Sequence, residues 1–213
     1  QNTIIQGKTA GANKGLLYVT KSGHYLFSGS ILDASGKNYS RDIYTKYIVE
    51  HKAVSTQAYV AAAKTHWVQQ GKSSAPHKAY VLVDPNCIFC HRLFDAMQPA
   101  IQSGDLEVRW IIVGFLKPSS QGKAIAILGA KDPLAAMVAN EKGFNEAKEE
   151  GAIKPVTSFT AQETDMLKVN AEFMMKNQFS GTPVILYKGT DGKQKTKVGV
   201  PADMKAFVSR KEC

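Results

Sequence analysis

Cysteine is scarce in this chain: there are three, Cys87, Cys90 and Cys213. So few cannot form a framework of structural disulfides, and two of them stand three positions apart while the third is the last residue. No run of about 18 apolar residues is present, which excludes a transmembrane helix by sequence. The five histidines fall in no paired spacing with one another or with cysteine, so a structural zinc site would lack its second pair of ligands. A secretory leader is missing too. The chain begins at Gln1, which fits a processed secreted protein or a trimmed one.

Charge of one sign is thin in the first third. Residues 1–72 hold nine Lys/Arg against three Asp/Glu, a large part of the overall +9. A basic chain can attract nucleic acid or anionic lipid. The lysines are scattered, however, and no zinc-finger, RRM or Arg-rich pattern accompanies them, so no nucleic-acid partner is expected. Only Lys193, Lys195 and Lys197 cluster, and lysine at alternate positions marks a solvated or edge strand.

What is present reads as an α+β chain in two modules. Residues 1–53 are rich in turn formers, with short apolar stretches at Leu16–Val19 and Tyr25–Phe27, and predict a small antiparallel meander. Residues 54–74 begin Ala-rich, which predicts a linker helix from about Val54 to Gln70, capped by Ser55 or Thr56 and ended by Gly71. Residues 75–213 form the second module. A strand over Lys78–Asp84, a helix from Cys87 to about Gln102 and a strand over Leu106–Gly114 make a βαβ unit. Helices then fill a block over about 119–179. Strands at Thr182–Lys188 and Lys195–Val200, joined by the turn Gly189-Thr190-Asp191-Gly192, precede a closing helix. That order is the thioredoxin arrangement with a helical insertion.

Within that frame Cys87 and Cys90 open a helix directly after a strand. Unpaired backbone N–H groups and the positive end of the helix dipole favour thiolate over thiol at such a position. The thiolate is the attacking species in disulfide exchange. The spacing predicts an accessible sulfur at position 87 and a protected one a turn later at position 90. An inert local disulfide and half of a zinc site are the alternative readings, but C-x-x-C after a strand is a redox signature. Ile88 and Phe89, between the cysteines, carry no charge, so extreme thiolate stabilisation is not expected. His91 follows directly and is a candidate for a modest electrostatic influence. Cys213, at the chain end, reads as an idle thiol.

Gly181-Thr182-Pro183 precedes an apolar strand. An ordinary trans strand-entry proline is one reading. Beside a C-x-x-C the other gains weight: a cis bond opposite the cysteines, whose free backbone groups hold a substrate segment extended.

The text Thr65-His66-Trp67, Asp84-Pro85-Asn86-Cys87-Ile88-Phe89-Cys90, Val113-Gly114-Phe115-Leu116-Lys117-Pro118, Ala126–Pro133 and Gly181-Thr182-Pro183 resembles the periplasmic disulfide isomerases of the DsbC/DsbG family, its DsbG branch most of all. The resemblance spans nearly the whole chain. It implies a V-shaped homodimer paired through the N-terminal module, with linker helices holding two thioredoxin domains around a cleft. It also implies periplasmic residence, misfolded or oxidised protein substrates, a membrane thiol reductase of DsbD type as electron donor, and no cofactor. Cys87 and Cys90 would be catalytic, Thr182 and Pro183 substrate-binding, and Ile88, Phe89 and His91 modulating. Protein-disulfide isomerase or reductase is the leading activity. Protection of single cysteines from sulfenylation and a disulfide-handling chaperone are the alternatives. Ile88 is bulkier than the Gly or Pro usual there, so the redox poise is set by this chain's own residues.

Overall fold

The computed structural model describes residues 57–208, together with 4–5, 17–19, 22, 24–28, 31 and 40. The chain divides into two compact units, residues 1–53 and 54–213. In the first, β1 (Ile4–Ile5), β2 (Leu17–Val19) and β3 (Leu26–Ser28) form an antiparallel sheet in the order β1-β2-β3. Strands of two and three residues match the short apolar stretches between turn signals. A sheet this small buries little by itself.

The second unit is built on five strands: β4 (Trp67–Gln70), β5 (His77–Val83), β6 (Leu106–Ile112), β7 (Val184–Lys188) and β8 (Gln194–Val198). Their order is β4-β6-β5-β7-β8, with β5 and β6 parallel and the other neighbours antiparallel. The helices are α1 (Ala58–Ala62), α2 (Ile88–Ser103), α3 (Ser120–Leu128), α4 (Pro133–Lys142), α5 (Ala161–Lys176) and α6 (Met204–Val208). This is a thioredoxin-like α+β fold with α3, α4 and α5 inserted between β6 and β7.

Both faces of the central strands are covered, which is why β5, β6 and β7 read as nearly continuous apolar runs. On one face Val81, Val83, Trp110, Ile112 and Ile185 pack with Leu93, Phe94 and Met97 of α2 and Ile125 and Ile127 of α3. On the other, Tyr80, Leu82, Ile111, Val184 and Leu186 pack with Ala58, Ala62, Phe173 and Met174. The switch of face at each residue is the two-residue period of a strand. Asn170 on α5 is fully buried. It accepts from the His66 N–H at 2.9 Å and donates to the carbonyls of His66 and Ile112, tying α5 to the approach to β4 and to the sheet.

Residues 57–70 depart from the single linker helix expected over about Val54 to Gln70. Within the described residues the helix runs only over Ala58–Ala62, and residues 67–70 are an edge strand paired antiparallel with β6. Alanine content made the segment look helical. The strand prevails because its alternation turns Val68 and Gln70 inward, where Gln70 Oε1 accepts from the Trp110 Nε1–H at 2.9 Å. Residues 58–70 are therefore part of the second unit's sheet and core, not a free arm. Ser55 and Thr56, the expected caps, lie outside the described residues, and Gln57 holds the N-cap position without a side-chain capping bond.

α2 ends on Gly104 in the left-handed region (φ 86°), a C-terminal position that glycine occupies without strain. The lysine-bearing β8 is an edge strand. No helix among the described residues is long and apolar enough to cross a membrane.

Candidate active site

β5 delivers the chain to Asp84-Pro85-Asn86, and Cys87 is the N-cap of α2 with an extended backbone (φ −87°, ψ 112°). Its sulfur takes the capping role that serine or aspartate fills in other helices, accepting the Cys90 N–H at 3.2 Å. Across from it, the loop before β7 brings the Thr182 carbonyl to 3.5 Å, where it accepts from the Cys87 thiol. The Thr182–Pro183 peptide is cis. Two segments 95 positions apart in sequence thus meet at one sulfur. Cys87 and Cys90 are unlinked thiols here.

The two thiols differ sharply in acidity. Cys87 is lowered from the ordinary thiol value to about 7. The leading cause is the hydrogen bond that the Cys90 thiol offers its thiolate. Burial opposes it, and the Thr182 hydroxyl and the N–H groups of Cys90 and Phe89 add to it. Cys90 is pushed well above the ordinary value by burial and by the neighbouring Cys87 anion. The Thr182 hydroxyl is buried with no hydrogen-bond partner in the dithiol, yet it favours the anions of both sulfurs.

Cys87 is less open than its place at the helix mouth suggests. It is 5% exposed, against 2% for Cys90, because the Thr182 loop covers it. Exposed apolar side chains lie on the cysteine segment and on the loop bonded to it. Phe89, within the motif, is 45% exposed. Phe115 and Leu116, on the loop after β6, are 45% and 44% exposed. That loop is fixed to the cysteine segment by Asp84, whose buried carboxylate accepts the N–H groups of Phe115 (2.8 Å), Leu116 (3.1 Å) and Asn86 (3.0 Å) and the Ser120 hydroxyl (2.8 Å).

Ile88 is half-buried, and His91 is turned to the insertion. Its Nδ1 lies 3.2 Å from Glu141 Oε2 on α4, its Nε2 lies 3.6 Å from Asp95, and its ring stacks on Phe144 at 4.5 Å. Glu141 is buried and raised to about 7, chiefly by desolvation, against the favourable contacts of Asn140 and His91. Cys213 lies outside the described residues. Among the described residues no group of three or more His, Cys, Asp or Glu is placed to hold a metal ion.

Sequence reasoning missed Asp84, Asn86, Lys123, Asn140 and Glu141, the polar groups that hold the cysteine segment. Asn140 Nδ2 donates to the Pro85 carbonyl and to Glu141 Oε1, both at 3.0 Å. The available signals were Asp84-Pro85-Asn86 within the cysteine motif and Lys123, a lone charge ahead of the apolar run Ala124–Leu128.

Two consequences are measurable. Alkylation of the reduced protein should rise about a hundredfold between pH 5 and pH 8 and level off above a midpoint near 7, because the rate follows the Cys87 thiolate. Stopped-flow alkylation with a neutral reagent reads this directly, and a midpoint at the free-thiol value would contradict it. Glu141 gives an opposite signature in stability. Its folded pKa is raised, so its contribution is fully present below about 4.5 and is lost as pH rises through about 7. Glu141→Gln removes that loss and should be more stable than wild type at pH 8, by about 2–3 kcal/mol, but not at pH 4. Urea unfolding at the two pH values checks it. An equal difference at both would exclude the carboxyl as its source.

A C-x-x-C pair at the start of α2 of a thioredoxin fold, with one acidic and one protected thiol, defines a thiol–disulfide oxidoreductase. No protein-family model matches the chain. It is similar to the thiol:disulfide interchange protein DsbG of Pseudomonas aeruginosa, with 28% identity over 190 residues, 89% of this chain and 72% of the relative. DsbG of Escherichia coli is 27% identical over 87% of this chain and 72% of its own length. Among solved structures, the catalytic domain of Proteus mirabilis ScsC superposes with a TM-score of 0.58 at 17% identity, covering 73% of this chain and 97% of that one. A periplasmic thioredoxin-like protein from Salmonella enterica serovar Typhimurium gives 0.56 at 18% identity, over 75% and 98%. At such identities the structural likeness is one of fold.

Proposed function

We propose that the protein acts in the periplasm as a protein-disulfide isomerase and reductase, with Cys87 as the attacking sulfur and Cys90 as the resolving one. The observation that carries this reading is the Cys87 sulfur itself: ionised to a large extent near neutrality and set beside Thr182-Pro183, with Cys90 protonated beneath it. The Cys87 thiolate attacks one sulfur of a non-native disulfide, forming a mixed disulfide and expelling a substrate thiolate. If a substrate thiolate then attacks the mixed disulfide, a new substrate disulfide forms and Cys87 leaves as thiolate, with no net redox change. If Cys90 loses its proton and attacks the Cys87 sulfur, the substrate leaves with two thiols and the enzyme with a disulfide. That second outcome needs a reductant, for which a membrane thiol reductase of DsbD type is the proposed partner. Thr182 and Pro183 present backbone groups to an extended substrate segment, and Phe89, Phe115 and Leu116 offer apolar contact to an unfolded chain. Residues 1–53 serve as the dimerisation module.

Catalytic amounts of the reduced protein should accelerate recovery of a scrambled multi-disulfide substrate in a glutathione buffer. No acceleration over buffer alone would sink the isomerase reading. The same thiolate can attack a sulfenic acid, giving a mixed disulfide and water, which Cys90 resolves. Partners trapped on Cys90→Ser that hold one cysteine each would favour the protective role over isomerisation.

A further inference from the structure

Lys123 lies on α3 inside the helical insertion and is only 2% exposed. A buried ammonium is costly unless its donors are met, and here all three are met, by one acceptor immediately ahead of Cys87 and two at residues 150–151 of the insertion. Nζ donates to Asn86 Oδ1 at 3.1 Å, to Glu150 Oε1 at 3.0 Å and to the Gly151 carbonyl at 2.6 Å. Asn86 stands immediately before Cys87 and is itself buried. Its Oδ1 also takes the Gly151 N–H at 3.2 Å, and its Nδ2 donates to Ser119 and Ser120 at 3.0 and 2.9 Å. Gly151 can reach this junction only because it lacks a Cβ, which would stand 2.4 Å from the Pro85 carbonyl and 2.2 Å from Asn140 Oδ1. The insertion therefore closes on the residue ahead of the N-cap from two sides, with Lys123 at the centre.

Cys87 accepts the Cys90 N–H only while its backbone is extended and its sulfur lies over the first turn of α2. Asn86 is bonded to Cys87 along the chain, so the place where Asn86 is held bears on where that sulfur lies. We propose that Lys123 is a positioning residue for Cys87: acting through Asn86, it keeps the sulfur in line with the donors at the start of α2. This rests on Cys87 being the attacking thiol. The alternative is that Lys123 merely glues the insertion to the domain, contributing stability and nothing to the sulfur.

Thiolate absorbance of the reduced full chain separates the two. In Lys123→Met the Cys87 midpoint should rise by about one pH unit, making alkylation at pH 6 about tenfold slower. Lys123→Gln can still donate to Asn86 and should fall between wild type and Lys123→Met. An unchanged midpoint in folded Lys123→Met overturns the proposal while leaving the function intact. A wild-type Cys87 that titrates as an ordinary thiol overturns both. A measurement on the unaltered protein serves if the methionine variant fails to fold. The Asn86 side-chain amide resonances should move with the Cys87 titration, and an Asn86 amide blind to it overturns the proposal.

Discussion

Cys87→Ser should lose thiol–disulfide exchange by more than about a thousandfold, to the level of buffer, because a serine hydroxyl is not ionised near neutrality and the thiolate is the nucleophile. The loss should be chemical and not structural. Serine is a favoured N-cap, and its Oγ can take the Cys90 N–H that Cys87 Sγ now accepts at 3.2 Å. The variant should therefore unfold close to wild type while being inert in insulin reduction by a small dithiol. Cys90→Ala makes the complementary case. It removes the leading cause of the low Cys87 pKa, the Cys90 hydrogen bond, so Cys87 should become a weaker acid though the residue itself is untouched. It should still attack, and should accumulate mixed disulfides that wild type resolves. Substantial exchange by Cys87→Ser would move the reacting sulfur elsewhere and end the assignment.

The largest expected loss of stability is at Asp84. Its carboxylate is 1% exposed and accepts four hydrogen bonds, three from backbone N–H groups and one from Ser120. Asp84→Ala strands those donors in the interior and should cost about 4 kcal/mol, the range reached when a buried network is broken. Asp84→Asn keeps one acceptor oxygen for two of the four donors, so about half that loss is expected. Denaturant unfolding of the reduced proteins measures both. A loss below about 1 kcal/mol in the alanine variant would mean that water reaches the freed donors. Because Asp84 also ties the Phe115-Leu116 loop to Asn86, the alanine variant should slow exchange as well as lower stability.

Much of this was readable in the residues. Ala79–Val83 and Leu106–Ile112 are apolar enough to announce central strands, and Leu93, Phe94, Met97 and Ile101 recur at helical spacing after Cys87. The turn at 189–192 and the strands around it were equally plain. The cis Thr182–Pro183 peptide and its approach to Cys87 accord with the expectation set by Gly181-Thr182-Pro183. What the text hid depends on contacts between distant segments. Trp67–Gln70 follows an alanine-rich helix and gives no local sign that β6 will pair with it. Lys123, Asn140 and Glu141 are residue types that usually face water, and only the closing of the insertion over Asp84–His91 buries them. The shielding of Cys87 has the same origin, since a loop 95 positions away does the covering.

The unequal protonation of the two thiols also acts on time. Near neutrality Cys87 is ready to react, whereas Cys90 must first shed a proton that its buried site holds. In the mechanism proposed above, the burial that keeps Cys90 protonated would lengthen the life of the covalent complex. During that interval a tethered substrate can bring its own thiols to the bond and leave with a different pairing. A deeper or more acidic Cys90 would lengthen or shorten the wait, so in that proposed mechanism the depth of one sulfur would divide rearrangement from release.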